Sequence, residues 1–259
     1  MTSKSFRQRG LFHASARAGE RFYRDGLRQS DWVVFRAQHQ ESDLWIRAER
    51  DLRQVAQDAV LTCRRQLQDY IDQYPAFLHS LQPLPDDQDA PPVVREMLRA
   101  ARVAAVGPMA AVAGAIAQAV GQKLKKQGSQ VIVENGGDCY LDVTEDLTMA
   151  VYAGPRSPFS NRLGIRFAAT DLPLGVCTSS GTIGHSLSFG RADAVTVVAP
   201  NAALADAAAT RLGNMVQDSA AINAALELAP EIPGLTGTLI LLDDRLGVWG
   251  NLELIPLHG

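Results

Sequence analysis

The sequence lacks the patterns that mark disulfide-rich, secreted and zinc-binding proteins. Its three cysteines, Cys63, Cys139 and Cys177, are widely spaced and form no CxxC pair, which fits a reducing compartment better than a disulfide framework. The five histidines are scattered, so they do not provide the clustered ligands of a structural zinc site. The N-terminal segment is polar and arginine-rich without an apolar stretch, so no secretory signal is expected. These absences predict a cytoplasmic protein.

An excess of positive charge is also missing. Lys and Arg number 25 against 28 Asp and Glu, a formal net charge of −3, and this leaves no basic stripe for nucleic acid phosphates or for an anionic membrane surface. The most membrane-like run, residues 103–120, is rich in alanine and contains Gly107-Pro108. Such a run is too weakly apolar to span a bilayer and predicts a helix packed against protein. We therefore expect neither nucleic acid nor membrane as a partner.

Three common catalytic signatures are absent too. The sequence contains no Gly-Lys-Ser/Thr of a P-loop and no GxGxxG of a dinucleotide-binding fold. The nearest match to the GxSxG turn of a serine hydrolase is GHSLS at 184–188, which has a serine where the second glycine belongs. Nucleophilic serine chemistry at Ser186 is therefore not expected.

The patterns that remain predict a mixed chain of helices and strands. Alternating apolar residues predict a hairpin over 31–38 and 43–49, and a strand-rich block with tight turns follows residue 130. Helical spacing predicts helices over these segments: 51–74, 93–102, 108–127 and 201–216. The order shows no βαβ alternation, which favours an α+β fold with antiparallel sheets. Residues 1–22 are predicted to form an N-terminal arm, mobile or loosely docked, and residues 23–259 a single domain.

One segment, GVCTSSGTIGHSLSFGRAD at 175–193, concentrates small polar residues. It holds Cys177, several hydroxyl side chains, four glycines and His185. Its hydroxyls and backbone amides suit phosphate oxygens or a covalent intermediate. A long turn without chemistry is the alternative.

A second feature is the pair Asp206 and Thr210 on the predicted helix 201–216. Residues four apart share a helix face. A carboxylate and a hydroxyl can hold Mg²⁺ together with phosphate oxygens. From the residues alone, a solvated or helix-bonded pair is the commoner alternative.

Four strings of the sequence occur in a characteristic order: APPVVREMLRAARVAAVGPMAAVAGAIAQAVG, VIVENGGDCYLDV, CTSSGTIGHSLSFGRADAVTVVAP and ALADAAATRLGN. Together they resemble an uncharacterised bacterial and archaeal family of the ApbE-like superfamily, whose best-known members are FAD:protein FMN transferases. The resemblance covers most of the chain, about Tyr23 to Pro256. It implies a two-layer α+β fold of the T-fold type, with two related halves, each an antiparallel sheet backed by helices, and a cleft between them.

The resemblance also implies a site that uses FAD and Mg²⁺. Asp206 and Thr210 match the transferases' metal-binding pair, ENGGD resembles their Asn-x-Gly-Gly strand end, and CTSSG resembles their Thr-Ser-Gly turn. His185 and Cys177 are the catalytic candidates. The implied ligand-binding residues are Gly114, Asn135, Gly136, Gly137, Thr178, Ser179, Ser180 and Gly181.

The chain departs from the transferases at two places. Ala113 stands where they carry a lysine near the flavin diphosphate, and no His-x-x-Asp-Pro pattern follows at His185. An alanine cannot replace the cationic side chain. Whether the protein is an enzyme therefore stays open; if it is one, a flavin transferase is expected.

The predicted function is the binding of a flavin or another nucleotide diphosphate with Mg²⁺ in the cleft, with FMN or phosphoryl-type transfer as its active form. Two alternatives stay open: thiol-based sulfur transfer by Cys177 with or without Cys139, and non-catalytic binding on a retained fold. The expected partner is a small molecule that carries phosphate groups. The oligomeric state is open, a homodimer included.

Overall fold

A computed structural model describes residues 32–182 and 189–257, together with the backbone of three short strands, β1 (Leu11–Phe12), β2 (Ala16–Arg17) and β3 (Glu20–Arg21). Most of the predicted N-terminal arm lies outside the described residues, and so does His185. The character of the arm therefore stays a prediction.

Eight strands form one large antiparallel sheet. Their bounds are β4 Val33–His39, β5 Ser42–Ala48, β6 Val131–Asn135, β7 Asp138–Asp142, β10 Leu174–Ser179, β11 Ala194–Ala199, β12 Gly237–Leu242 and β13 Arg245–Gly250. Across the sheet they follow the order β13-β12-β11-β10-β7-β6-β5-β4. The hairpin predicted at the start of this region is present as β4 and β5.

The sheet consists of two halves with the same chain order. In the first half, helices connect the hairpin β4–β5 to the hairpin β6–β7; in the second half, helices connect β10–β11 to β12–β13. Pairing of β7 with β10 joins the halves, with Val176 opposite Cys139. The two related halves implied by the resemblance are therefore present, and they share one continuous sheet. We call the β7–β10 junction and the helices packed over it the seam.

Six helices fall between these hairpins. Their bounds are α1 Arg53–Gln73, α2 Ala76–His79, α3 Pro92–Ala104, α4 Val112–Lys125, α5 Ala202–Met215 and α6 Ala221–Leu228. Asn201 caps α5, because its side chain accepts a hydrogen bond from the Leu204 amide at 2.9 Å. The helix predicted over 108–127 instead begins with a 3₁₀ turn at Pro108–Ala111, and α4 follows it.

The helices pack on one face of the large sheet, which we call the helix face. Alternate strand residues point there and meet the helices, among them Val133, Tyr140, Cys177 and Val197. The residues between them point to the opposite face. Because β11 and β12 are buried along their whole length, the sheet requires cover on both faces.

A second, smaller sheet covers the opposite face. It contains β8 (Leu147–Ala150), β9 (Leu163–Phe167) and β14 (Glu253–Pro256), with β1 at one edge, in the order β1-β8-β9-β14. Ile165 and Phe167 from this sheet pack against Leu141, Val176 and Leu239 of the large sheet. The α+β class and the antiparallel pairing of the large sheet are confirmed, and the small sheet, in which β1 pairs parallel with β8, adds a third layer to the two expected.

No single described helix is long and apolar enough to cross a membrane. Two consecutive helical segments, Pro92–Ala104 and Pro108–Lys125, reach that length and composition only when taken together, and they are bent by 107° at the break between them.

Candidate functional site

Most of the predicted site residues that the structure describes lie at the seam, where α4 of the first half meets α5 of the second. Gly114 allows this contact, because a Cβ atom added to it would lie 2.2 Å from the Ala202 carbonyl oxygen and 2.9 Å from Cβ of Asp206. Real Cβ contacts are never this short, so only glycine permits the two helices to approach this closely. The role of Gly114 in the structure is therefore close packing.

Asp206 links the same two helices by hydrogen bonds. Its Oδ2 accepts the Gly114 amide hydrogen at 2.9 Å, and the Ala113 amide also donates to its carboxylate. Both amides lie in the first turn of α4, where backbone N–H groups have no partner within the helix. Asp206 thus acts as a remote cap for α4.

A second carboxylate lies close to Asp206. Asp138, at the start of β7, is buried on the helix face, and its Oδ1 accepts the Thr178 amide hydrogen at 3.3 Å across the seam. Burial and the negative charge of Asp138 raise the pKa of Asp206 well above its usual range, while the amides of Gly114 and Ala113 act in the opposite direction. The pair therefore favours any species that adds positive charge, a proton or a cation.

Thr210 lies one turn beyond Asp206 on α5 and is half-buried. The two residues share a face of the helix, as predicted. Among the described residues, no three His, Cys, Asp or Glu side chains form a group that could hold a metal ion without other ligands. A cation here would need hydroxyl groups, water or ligand oxygens in addition to the carboxylates.

The Gly136-Gly137 pair forms the two-residue turn between β6 and β7. Both residues have left-handed backbone angles, with φ of 74° and 113°, which is the geometry that favours glycine in such hairpins. The Asn135 Nδ2 donates to the Ala113 carbonyl oxygen at 3.1 Å and ties the turn to α4. A Cβ atom on Gly137 would have one neighbour within 4 Å, the Thr178 carbonyl oxygen at 3.9 Å. The turn therefore has open space beside it.

The turn that follows β10 is less open than the sequence suggests. The Gly181 amide donates to the Ala192 carbonyl at 2.9 Å, and the Thr182 amide donates to Oγ of Ser180 at 3.1 Å. Together with the Thr178 amide on Asp138, three amides expected to be available to phosphate are already engaged. Ser179 lies on the helix face, where its Oγ is 3.4 Å from a Cβ atom added to Gly213 of α5.

The side chain of Thr178 points away from the carboxylate pair. Its Oγ1 lies 2.9 Å from Oγ1 of Thr196, the residue directly opposite on β11. Thr196 lies between Val195 and Val197, which both pack on the helix face, so the two threonines belong to the other face. Thr178 therefore contributes its backbone to the seam and its side chain to the small-sheet side.

Sulfur transfer by Cys177 together with Cys139 needs both thiols on one face of the sheet, and the structure does not place them there. Cys177 packs among the helices and Cys139 against the small sheet, on opposite faces. Burial raises the pKa of the Cys177 thiol well above its usual range, the charges of Asp138 and Asp206 add to this, and Sγ donates to the Ala202 carbonyl at 3.3 Å. A nucleophilic cysteine needs an accessible thiolate, so this geometry opposes a catalytic Cys177.

Asp138 is the residue that sequence reasoning missed. Its signal is its place directly after the glycine pair in ENGGD, a string in which the resemblance implies ligand binding by Asn135 and the two glycines but not by Asp138. Its closeness to Asp206 depends on how β7 pairs with β10, and no local pattern predicts that pairing. His185, the other catalytic candidate, lies outside the described residues.

Known proteins resemble this chain over most of its length. The family model described as "AbpE bacteria" matches residues 24–232. The UPF0280 protein MJ1526 of Methanocaldococcus jannaschii is 42% identical over 206 residues, covering 77% of this chain and 83% of the relative. The UPF0280 protein of Methanocella arvoryzae is 39% identical over 219 residues, covering 84% of this chain and 89% of the relative.

Solved structures share the fold at low sequence identity. The flavin transferase ApbE from Vibrio cholerae is 14% identical with a TM-score of 0.53, covering 84% of this chain and 96% of that one. The Pseudomonas stutzeri flavinyl transferase ApbE, in its apo form, is 13% identical with a TM-score of 0.56, covering 84% and 93%. At these identities the likeness concerns the fold alone.

Proposed function

This chain belongs to an ApbE-like family, the one described as AbpE bacteria, and from that premise we propose that it binds a flavin or another nucleotide diphosphate together with Mg²⁺ at the seam. The single observation that carries the proposal is the placement of Asp206 beside Asp138, with Thr210 one turn along the same helix face. Two neighbouring carboxylates favour a cation because each raises the cost of ionising the other.

The donor set at the seam fits Mg²⁺. Carboxylate and hydroxyl oxygens are hard ligands, and Mg²⁺ is commonly held by one or two carboxylates plus substrate phosphates and water. Asp206 and Thr210 would hold the ion, with Asp138 as the neighbouring negative charge. When bound, Mg²⁺ neutralises a diphosphate and stabilises a leaving phosphate oxygen.

The residues around the pair position a ligand without adding charge. Asn135 fixes the glycine turn to the first turn of α4, and Gly137 leaves the space beside that turn free of side-chain atoms. Ser179 places a hydroxyl group on the same helix face. These groups suit the oxygens of a polyphosphate, while binding strength is expected to come from the metal ion.

Position 113 favours binding over transfer. The Ala113 carbonyl accepts from Asn135 and its amide donates to Asp206. Its backbone therefore forms hydrogen bonds within the seam, whereas its methyl side chain carries no positive charge. The second candidate, a binding protein without transfer activity, is favoured by this residue. FMN or phosphoryl-type transfer is the alternative supported by the fold shared with the Vibrio cholerae flavin transferase.

The test measures thermal unfolding with FAD, FMN, ADP and ATP, each with and without Mg²⁺. A ligand at about one hundred times its Kd stabilises by about 2.7 kcal/mol, which corresponds to roughly 5–10 °C in Tm for a chain of this size. Asp206→Asn is the sharpest variant, since an amide oxygen can still accept from Gly114 while the charge is lost. We expect the Mg²⁺-dependent shift to disappear in Asp206→Asn.

Asp244→Asn is the matched control, because Asp244 lies on the β12–β13 turn with 82% of its side chain exposed. It removes the same charge without touching the seam and is expected to keep the full shift. A shift in wild type that survives in Asp206→Asn would contradict the assigned ligands. No shift with any nucleotide would reject the proposed function, and AMP release from FAD would distinguish transfer from binding.

A further inference from the structure

A cavity of about 380 Å³ lies in the loop between β8 and β9, apart from the seam. Val151, Ala153 and Phe159 anchor this loop in the cluster between the two sheets, on the face opposite Asp206 and Thr210. Polar side chains that line the cavity are Tyr152, Arg156, Ser157, Ser160, Asn161 and Arg162. Its volume lies in the range of small-molecule sites.

Internal hydrogen bonds hold the loop in one shape. Oγ of Ser160 accepts from the Ala153 amide at 2.8 Å and donates to the Gly154 carbonyl, and the Asn161 amide donates to the Val151 carbonyl at 2.9 Å. Asn161 has a left-handed φ of 58°, which asparagine tolerates better than most residues. The loop is thus preorganised, which lowers the entropy cost of binding a ligand.

The cavity carries an excess of positive charge. Arg156 and Arg162 both line it, neither forms an ion pair with another residue of the described chain, and no Asp or Glu is among the residues around it. Arg166, on the adjoining strand, is by contrast held by Asp146 and Glu253 at 3.1 Å each. Guanidinium groups bind phosphate through paired hydrogen bonds.

Asn161 adds a second requirement for the ligand. Its side-chain oxygen is buried and has no hydrogen-bond partner among the described residues. A buried acceptor without a donor is unfavourable, and because Asn161 lines the cavity, its amide would turn on binding so that the oxygen meets a ligand hydroxyl. The arginines thus select a phosphate group, and Asn161 selects a hydroxyl group on the same molecule.

We propose that this loop forms a second ligand site, which binds a small phosphate monoester that carries a hydroxyl group. The site is independent of the nucleotide site at the seam, because it uses other residues on the other face of the large sheet. It requires neither Mg²⁺ nor Asp206.

The experiment is calorimetric titration of the full chain with glycerol 3-phosphate and with inorganic phosphate, at constant ionic strength and without Mg²⁺. We expect one saturable site for each probe. Arg156→Ala and Arg162→Ala should each weaken binding of both probes about tenfold, the effect of a lost charge-assisted hydrogen bond. Arg245→Ala is the charge-matched control, because Arg245 is 70% exposed on the edge strand β13, and it should leave binding unchanged.

Asn161→Gly tests recognition of the ligand hydroxyl separately from attraction by charge, because the substitution changes no charge. Glycine accepts the left-handed φ, so the loop keeps its shape while the amide oxygen is lost. We expect weaker binding of glycerol 3-phosphate and unchanged binding of inorganic phosphate. Absence of saturable binding, or binding that persists in both arginine variants, would overturn the proposal, and Asp206→Asn should have no effect on it.

Discussion

The two halves of the large sheet share a chain order and differ in what they bring to the seam. The first half supplies the Gly136-Gly137 turn, Asp138 and the first turn of α4; the second supplies Asp206 and Thr210 on α5 and the end of β10. Neither half contains both carboxylates. The candidate site is therefore a property of the junction, so a change at the contact between the halves should affect the site more than a change within either half.

The cysteines provide the largest expected effect. Burial raises the pKa of Cys63 to about 11 and that of Cys177 well above its usual range, and Cys139 is buried against the small sheet. Alkylation requires access and a thiolate, and a raised pKa lowers the thiolate fraction at any pH below it. In native protein at pH 8 we expect all three thiols to react at least about a thousandfold more slowly than in urea-unfolded protein.

A mass-spectrometric time course measures this, with the urea-unfolded chain as the control. Raising the pH toward 11 should speed the reaction of Cys63 before that of Cys177. Rapid, selective loss of two thiols from native protein would restore sulfur transfer as an alternative to nucleotide binding at the seam.

The next effect concerns two helix glycines, one from each half. Gly114→Ala places a methyl group 2.2 Å from the Ala202 carbonyl, whereas a Cβ on Gly213 of α5 has its nearest neighbour at 3.4 Å. Glycine to alanine within a helix normally stabilises by up to about 1 kcal/mol. We expect Gly114→Ala to lose about 3 kcal/mol of unfolding free energy through overpacking, and Gly213→Ala to be neutral or stabilising.

Urea denaturation of both variants measures the difference. Equal changes in unfolding free energy at the two glycines would show that the contact between α4 and α5 can accommodate a methyl group. The seam would then be no more sensitive to substitution than the surroundings of Gly213.

The smallest effects lie within the second half, at two buried threonines on neighbouring strands. Thr196 on β11 shares a hydrogen bond with Thr178, while Oγ1 of Thr238 on β12 is buried with no partner among the described residues. Thr196→Val should cost about 1 kcal/mol because Thr178 loses its partner, and Thr238→Val should gain up to about 1 kcal/mol because a lone buried hydroxyl is removed. Opposite signs in denaturant unfolding are the expected result; a destabilised Thr238→Val would mean that the hydroxyl has a partner.

Local patterns in the sequence predicted much of the fold. The alternation over 31–49, the helix over 51–74 and the helix over 201–216 all depend on residues close in sequence, and the structure confirms them as β4–β5, α1 and α5. The pair Asp206 and Thr210 shares a face for the same reason. The helix predicted from Pro108 begins later, since its first residues form a 3₁₀ turn.

Long-range register could not be predicted in this way. Cys139 and Cys177 occupy opposite faces because Val176, and not Cys177, stands opposite Cys139 on the paired strands; a shift of one residue would have placed both thiols on one face. The same pairing brings Asp138 to Asp206. The strands of the small sheet come from before and after the second half in the sequence. Its packing on the large sheet therefore could not be predicted from local patterns either.

The order β4-β5-β6-β7-β10-β11-β12-β13 has a consequence for how the chain can assemble. Each large-sheet strand pairs with the strand before it in the sequence of the large sheet, so no strand has to insert between two that are already paired. The connection that contains the helices of the first half, from residue 49 to 130, is roughly twice as long as that of the second half, from 200 to 236. The entropy of closing a loop of twice the length nevertheless costs only about 0.6 kcal/mol more. During synthesis the strands of the first half can therefore pair before the second half has been made. The free edge of β7 can then pair with β10, and the remaining strands of the large sheet follow in order.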